Sequence, residues 1–276
     1  MGILYIVATP IGNLEDITLR ALRILREVVL IAAEDTRHTR HLLTHFDIHT
    51  PVTSYFEHNK LQKIEQIRAA LERGDVALVS DAGTPTINDP GYELVRFAVE
   101  QGITVCPIPG PSSPIAALSA AGLPASTFLF MGYLPRKAKE IQKLLAGRRS
   151  EPAVMVFLES PNRVRDSLAT IGEIFPDRRV VLGREITKKF EQFLRGSAAE
   201  VLKELPETPL GEMVLLIEGI ENQAREPVTM QEAINQLVPF LDNGIRLKDA
   251  VGQVAENGNV NKKELYAAAT KYFSER

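Results

Sequence analysis

Short apolar segments alternate with helical patterns along the first 121 residues, and this alternation constrains the fold more than any other feature of the sequence. The pattern predicts strands over 3–7, 28–33, 76–80 and 103–108. Apolar residues recur at helical spacing over 61–73, where Gly74 predicts the end of a helix. Because the strands are apolar throughout, we expect a parallel sheet covered by helices on both faces.

The rest of the chain divides at two points. A break at Gly122-Leu123-Pro124 predicts a boundary between a first α/β domain, 1–121, and a second, 122–224, in which four more apolar strands alternate with helices. A polar linker over 221–227 ends in proline and leads into 225–276, whose three helical patterns are typical of a helix-turn-helix. A chain of 276 residues is long enough for this arrangement.

Composition excludes several classes of protein. The single cysteine, Cys106, cannot form a disulfide scaffold or a multi-cysteine metal site, and it is typical of a reducing compartment. No apolar run approaches the roughly 20 residues that a membrane-spanning helix needs, and the N-terminal strand lacks the basic segment of a signal peptide. We therefore expect a soluble cytoplasmic protein with no membrane partner.

The charge is unevenly distributed along the chain. Residues 133–200 contain 14 Lys and Arg against 9 Asp and Glu, whereas the segments on either side are both acidic. A basic middle is expected of a surface that binds a polyanion. A solvated basic face gives the same pattern.

Three loops rich in Gly, Pro or hydroxyl residues follow predicted strands, at 8–13, 80–85 and 109–113. Because the carboxyl ends of parallel strands meet at one sheet edge, we expect a ligand site there. The first loop has neither the G-x-G-x-x-G spacing nor a Gly-Lys-Ser/Thr sequence. The Asp81 carboxylate can accept hydrogen bonds from a ligand or attract a cation, and it equally suits an Asx turn or a helix cap. Ser113 suits a bound carboxylate or a helix N-cap with Pro114 at the first helical position.

These loops carry a family resemblance, together with Ala33-Glu34-Asp35-Thr36-Arg37, Glu159-Ser160-Pro161-Asn162-Arg163 and the segments 183–188 and 210–213. The chain resembles the tetrapyrrole (corrin/porphyrin) methylase superfamily, and within it the members that methylate a ribose 2′-hydroxyl of small-subunit ribosomal RNA. The resemblance covers essentially the whole chain. It implies two unlike α/β domains with a cofactor cleft between them, a homodimer, and S-adenosyl-L-methionine as methyl donor.

The resemblance also assigns residues to the cofactor. It places the first-strand turn and two further loops at the cleft and its methionine end, and residues of the second domain at the adenosine. The residues concerned are Pro10, Ile11, Asp81, Ala82, Gly83, Thr84, Ser112, Ser113, Phe157, Glu159, Gly211, Glu212 and Met213. The first loop is not Gly-rich as in the porphyrin methylases, so their substrate is not implied.

Methyl transfer from a sulfonium to a hydroxyl is an in-line displacement, which needs alignment and a destination for the acceptor proton. Glu185 is a candidate base, with Lys188 or Arg163 as electrostatic support, and Asp35 and Arg37 are candidates from the first domain. Each of these side chains equally suits a surface ion pair or a contact with an RNA phosphate.

If the partner is ribosomal RNA or the small ribosomal subunit, the basic segment 133–200 is expected to bind RNA. Its cations predict an RNA track, namely Arg136, Lys137, Lys139, Arg148, Arg149, Arg163, Arg165, Lys188 and Lys189. The cations of the helical tail, Arg246, Lys248, Lys262 and Lys263, predict either a second RNA contact or a structural brace.

Other interpretations remain open. His38, His41 and His45 share a helical face, but their spacing matches no zinc motif, so no metal is expected. A methylase of a tetrapyrrole or other small acceptor, or of a protein, is one alternative function. A non-catalytic RNA-binding assembly factor is another.

Overall fold

A computed structural model describes residues 1–55, 60–220, 229–242, 244–258 and 260–274. The chain forms two compact units. The first comprises 1–149 and 153–218 and contains both α/β sheets, and the second comprises 150–152 and 219–276. The linker predicted over 221–227, and with it the predicted domain boundary after 224, lies outside the described residues.

The first sheet is entirely parallel, as the apolar strands predict. Its strands are β1 (Leu4–Val7), β2 (Leu30–Ala33), β3 (Val52–Ser54), β4 (Val76–Val79) and β5 (Val105–Ile108). They pair in the order β3-β2-β4-β1-β5. The sequence pattern did not indicate β3, because three residues are too few to show a periodicity.

Helices connect these strands and cover the sheet. They are α1 (Leu19–Glu27), α2 (Thr36–His45), α3 (Lys60–Leu71), α4 (Tyr92–Glu100) and α5 (Ser113–Ala120). Leu25 of α1 and Leu43 of α2 pack in one buried cluster, and Leu71 of α3 and Leu94 of α4 pack in another. The sheet therefore has an apolar layer on each face, as its connections require.

The second sheet is mixed, so the two domains are unlike. Its strands are β6 (Phe128–Tyr133), β7 (Val154–Glu159), β8 (Val180–Arg184), β9 (Gln192–Gly196) and β10 (Met213–Ile217), in the order β6-β7-β10-β8-β9. Only β6 and β7 pair in parallel. The prediction missed β9, because Gln192-Phe193-Leu194-Arg195-Gly196 is neither wholly apolar nor long enough to alternate clearly.

The two faces of the second sheet have different partners. Met155 and Phe157 of β7 face the helices α6 (Ala138–Ala146), α7 (Val164–Ile174) and α8 (Ala198–Glu204). Val154 and Val156 lie on the opposite face, in one cluster with Ile11 and with Ala117 of α5. Apolar packing on this opposite face thus joins the second sheet to the loops of the first domain.

The second unit contains α9 (Met230–Asp242), α10 (Leu247–Gly258) and α11 (Lys262–Ser274). Leu237 of α9, Val251 of α10 and Leu265 of α11 belong to one small buried cluster. The side chain of Asn261 accepts hydrogen bonds from the first backbone amides of α11. In the described part of the chain, no helix combines the length and apolar character needed to cross a bilayer.

Candidate functional site

Hydrogen bonds join the three loops at the carboxyl edge of the first sheet. Thr9 and Gly83 exchange two backbone hydrogen bonds of 2.9 and 3.0 Å. The Thr84 hydroxyl donates to the Pro111 carbonyl oxygen at 3.3 Å. Gly83 has a φ of +80°, a conformation that costs glycine little. The loops predicted to share one sheet edge therefore form a single connected surface.

Asp81 connects the 80–85 loop of this surface to the residues that follow β2. Its Oδ1 atom accepts a hydrogen bond from the backbone amide of Asp35 at 3.0 Å, and its own amide donates to Glu34 Oε2 at 3.4 Å. These contacts orient the Asp81 carboxylate by linking the ends of β2 and β4. The Asx-turn interpretation is therefore not needed to explain this residue.

A cavity of about 270 Å³ opens beside these loops and is lined by both α/β domains. Its volume is near the lower end of the roughly 300–1,000 Å³ typical of small-molecule sites. Ile11, Leu158, Ile186 and Val214 give it apolar walls. The polar part of the lining is mainly carboxylate and hydroxyl, so the cavity suits a ligand with one apolar and one charged part.

The charge of the cavity is strongly negative. Among the described residues that line it, Lys188 is the only cation, whereas six are acidic, namely Glu34, Asp81, Asp89, Glu159, Glu185 and Glu212. Burial and the neighbouring charge of Asp81 raise the pKa of Glu34. Burial likewise raises the pKa of Asp89, with contributions from the charges of Asp81 and Glu212. A ligand that carries positive charge would relieve this repulsion.

A strained segment, 185–188, contributes to the cavity lining. Glu185 and Thr187 have φ values of +50° and +69°, which non-glycine residues rarely adopt and which are often found at functional sites. Lys188 Nζ lies 3.0 Å from Glu185 Oε1. A Cβ atom on Gly12 would approach Lys188 Cγ to 2.6 Å, so the first-strand turn packs against the lysine stem.

The amino end of α5 also faces the cavity. Ser112, and not Ser113, is the N-cap of this helix, and in the described chain its side chain makes no capping hydrogen bond. Pro114, predicted at the first helical position, is therefore the second residue of the helix, where the absence of an amide proton is still tolerated. The hydroxyls of Ser112 and Ser113 and the helix N-terminus can therefore receive an anionic group such as a carboxylate.

Glu159 is fixed by a buried network at the end of β7. Its Oε2 atom accepts hydrogen bonds from Ser167 Oγ at 2.6 Å and Arg163 Nη2 at 3.1 Å, and Oε1 accepts from the Ser160 amide. The same Arg163 nitrogen donates to the carbonyl oxygens of Leu134 and Pro135. The network holds one carboxylate at the cavity wall and ties the end of β6 to it.

Most of the residues predicted for the site line this one cavity. From the predicted sets these are Ile11, Asp81, Ala82, Gly83, Thr84, Ser112, Ser113, Glu159, Glu185, Lys188, Glu212 and Met213. Pro10 and Gly211 do not line it, but each is adjacent in sequence to a residue that does.

The resemblance places Phe157 at the adenosine, but the structure does not place its side chain at the cavity. Its side chain is fully buried among Leu168, Leu182 and Leu215, on the helix-covered face of the second sheet. Successive side chains of a strand point to opposite faces, so its neighbour Leu158 lines the cavity instead.

Three of the predicted catalytic residues do not line the cavity, namely Asp35, Arg37 and Arg163. The Arg163 guanidinium instead binds Glu159 and two backbone carbonyl oxygens. Asp35 is the N-cap of α2 and binds the Arg37 guanidinium at 2.8 Å. Hydrogen bonds from Arg37 hold the pKa of Asp35 at about 2. A carboxylate with so low a pKa is a weak base near neutral pH.

The predicted RNA track is only partly free for a partner. Arg148 and Arg165 donate to backbone carbonyl oxygens, of Leu144 and Leu205 respectively, and so act structurally. The exposed cations of the set are Arg136, Lys137, Lys139, Arg149, Lys188 and Lys189.

Sequence reasoning missed several cavity residues, of which Glu34, Asn88, Asp89 and Tyr133 are the polar ones. Asn88 and Asp89 come within four residues of the end of the 80–85 loop, so their position after a buried strand was a usable signal. Tyr133 gave none, because it ends an apolar strand. No group of three potential metal ligands occurs in the described part of the chain, which does not include His58.

Comparisons with known proteins identify related sequences. Residues 3–202 match the family described as Tetrapyrrole (Corrin/Porphyrin) Methylases. A protein of Escherichia coli O157:H7 called ribosomal RNA small subunit methyltransferase I is 47% identical over 273 residues, which is 97% of this chain and 94% of that protein. The protein of the same name from Halalkalibacterium halodurans is 44% identical over 96% of this chain and 93% of its own length.

A solved structure shares the fold. The uroporphyrin-III C-methyltransferase of Thermus thermophilus, solved with S-adenyl homocysteine, covers 80% of this chain and 98% of its own with a TM-score of 0.53 at 19% identity. The two unlike sheets and the cavity between them agree with this likeness. The sequence match over residues 3–202 and the relatives at 44–47% identity show that the chain belongs to the tetrapyrrole methylase family.

Proposed function

We propose that this protein is an S-adenosyl-L-methionine-dependent methyltransferase of small-subunit ribosomal RNA, acting on a ribose 2′-hydroxyl. The observation that carries the proposal is the carboxylate-rich cavity, which suits a cationic methyl donor, in a chain whose relatives are named for this RNA. The alternatives are transfer to a tetrapyrrole or other small acceptor and RNA binding without catalysis.

The residues present fit the cofactor. Its amino acid part carries an ammonium and a carboxylate, for which Asp81 and the hydroxyls at the start of α5 are suitable partners. The apolar walls at Ile11, Leu158 and Val214 suit the adenosine. The surrounding negative charge favours a sulfonium.

The chain's own residues then have distinct tasks. S-adenosyl-L-methionine supplies the methyl group from its sulfonium when bound. The three connected loops hold the donor in place, and orientation of this kind contributes roughly 7–11 kcal/mol in favourable cases. We assign Glu185 to accept the proton of the attacking hydroxyl, with Lys188 at 3.0 Å to balance the charge as it changes.

Partners follow from the same proposal. The exposed cations Arg136, Lys137 and Lys139 lie within six residues of the end of β6 and are suited to RNA phosphates. As members of the family are expected to do, the protein would work as a homodimer, and a ribosomal RNA substrate would place it in the cytoplasm.

The decisive experiment is methyl transfer to isolated small ribosomal subunits from cells that lack this enzyme. Labelled S-adenosyl-L-methionine should label the RNA at one nucleotide, and the adjacent phosphodiester should resist alkali because its 2′-hydroxyl is blocked. Asp81→Asn should abolish most of the labelling, whereas Asp177→Asn, at an exposed aspartate that does not line the cavity, should not. Labelling of a porphyrin precursor, an alkali-sensitive modified site, or salt-sensitive RNA binding without cofactor binding would each overturn the proposal.

A further inference from the structure

The edge strand β6 is irregular where it reaches the cavity. Its pairing with β7 shifts register between Phe130 and Tyr133, and Gly132 has a φ of +64°. Such irregularities re-aim the neighbouring side chain and are frequent beside active sites. Here the side chain is that of Tyr133, which lines the cavity while half of its surface stays exposed. Tyr133 therefore lies at the mouth of the cavity.

The surroundings of Tyr133 keep its ring neutral. Burial raises the pKa of its hydroxyl, and the negative charges of Glu212, Asp89 and Glu159 raise it further. The phenol therefore stays protonated near neutral pH and cannot act as a base there. A half-exposed neutral phenol ring offers aromatic surface on which a nucleobase can stack.

The backbone that follows Tyr133 is held in place and leads to a cluster of cations. Leu134 is buried, and the Arg163 guanidinium donates to the carbonyl oxygens of Leu134 at 2.6 Å and Pro135 at 3.0 Å. The next side chains, Arg136, Lys137 and Lys139, are exposed. Of these cations Lys137 forms an ion pair, with Glu140 at 3.5 Å.

The two regions that meet near Tyr133 differ in charge. Carboxylates predominate in the cavity lining, where a polyanion would be repelled, whereas the exposed residues that follow Tyr133 in the sequence include three cations. A cationic donor is favoured inside the cavity, and an RNA backbone is favoured beside the exposed cations. Tyr133 lines the cavity and precedes these cations by three to six residues, so it is suited to an acceptor nucleotide whose phosphates they bind.

We propose that Tyr133 is the stacking platform for the base of the acceptor nucleotide and that Arg136 and Lys139 hold the adjacent phosphates. This inference rests on the proposed function as an RNA methyltransferase. RNA-binding proteins commonly recognise unpaired bases by stacking on aromatic side chains. The platform would position the ribose without contributing to the chemical step.

The test compares Tyr133→Ala, Tyr133→Phe and Tyr92→Ala in methyl transfer to small subunits, with cofactor affinity measured separately by calorimetry. Tyr92 is a matched control because it is also an exposed tyrosine and does not line the cavity. Loss of a stacked base typically weakens binding by about 5- to 150-fold. We expect Tyr133→Ala to raise KM for the subunit within this range and to leave the cofactor Kd within twofold.

Tyr133→Phe keeps the ring and should recover most of the affinity, and Tyr92→Ala should behave as wild type. In a salt titration, Arg136→Ala and Lys139→Ala should each reduce the dependence of subunit binding on salt. A weakened cofactor Kd in Tyr133→Ala would show that the ring lines the donor instead. Equal defects in the Phe and Ala variants would point to the hydroxyl. Either result, or an unchanged KM, would overturn the inference.

The failure of the proposed function is distinguishable from these results. If the wild-type protein transfers no methyl group to the subunit, the broader proposal fails. If it does so and Tyr133→Ala is unaffected, only the stacking role fails. Cofactor binding by the variant also shows that it is folded.

Discussion

The carboxylate of Glu185 lies directly over Gly211, in the space that a Cβ atom on residue 211 would occupy. Gly211 has a φ of +83°, so the backbone conformation and the contact both require glycine. Because Lys188 forms an ion pair with Glu185, a side chain at 211 would displace both charged groups of the strained segment.

We therefore expect Gly211→Ala to lower methyl transfer by about 100-fold, the order of loss that a displacement of about 1 Å can cause. Gly102→Ala is the matched control, because Gly102 also has a positive φ, of +66°, yet has open space where its Cβ would be. Both variants should lose some stability from backbone strain, measured by thermal melting. Equal activity losses in the two variants would contradict the role of the Glu185 contact.

Asp81→Asn tests the negative charge at the connected loops. Asparagine keeps an oxygen that can accept the Asp35 amide hydrogen bond, so the loop should stay in place while the charge is lost. Charge-assisted hydrogen bonds are worth about 1.5–3 kcal/mol, and we expect the cofactor Kd to rise at least tenfold in calorimetry. An unchanged Kd would mean that Asp81 only orders the loops. Asp177→Asn, at an exposed site, should bind the cofactor like the wild type.

The sequence could predict much of the fold because apolar strands and helical periods are local signals. The sheet edge of the site could also be predicted, since parallel strands bring their ends together. The strand β3 could not be predicted, because it is too short to show a period. The position of Tyr133 could not be predicted either, because it depends on the irregular pairing of β6 with β7.

The direction in which a side chain points could not be predicted from the sequence either. Phe157 and Leu158 are both apolar, and the sequence does not show which of them faces the cavity. Arg163 is a polar residue near the site in sequence, and only the structure shows that Glu159 and two carbonyl oxygens occupy its guanidinium.

The pKa of Asp89 gives a prediction about stability and pH. Burial raises this pKa in the folded protein, so the folded state binds more protons than the unfolded state once the pH exceeds the usual carboxyl value of about 3.9. Ionised Asp89 then destabilises the fold, and this effect grows as the pH rises through the raised pKa. We expect Asp89→Asn to raise the melting temperature of the ligand-free protein at pH 8 and to have little effect near pH 3.

Cofactor binding should depend on pH in the opposite direction from the stability of the ligand-free protein. The ionised carboxylates attract a cationic ligand, so the affinity of the wild type should fall as the pH drops and Glu34 and Asp89 become protonated. Melting curves over a series of pH values, with and without cofactor, measure both effects. A stabilisation by Asp89→Asn that is equal at pH 3 and pH 8 would show that ionisation is not its cause.

Because the Glu159–Arg163 ion pair is largely buried, we expect Arg163→Ala to reduce stability much more than Arg96→Ala, which breaks an exposed ion pair. The Glu159 side chain is fully buried, and Arg163 supplies one of its hydrogen bonds and neutralises its charge. Removing one partner of a buried pair typically costs about 3–5 kcal/mol, because the remaining charge is left without compensation. Arg163 is 29% exposed, so we expect Arg163→Ala to lower the free energy of unfolding by about 3 kcal/mol, at the lower end of that range.

Arg96→Ala is the matched control, because it breaks an Arg–Glu pair of the same i, i+4 spacing whose side chains are 62% and 55% exposed. Exposed pairs contribute less than about 1 kcal/mol. Urea unfolding of both variants measures the difference. In the double variant Glu159→Gln/Arg163→Ala the charge left by Arg163→Ala is absent, so the two losses should not add. Additive losses, or equal effects at Arg96 and Arg163, would show that the buried charge is not what makes Arg163 important for stability.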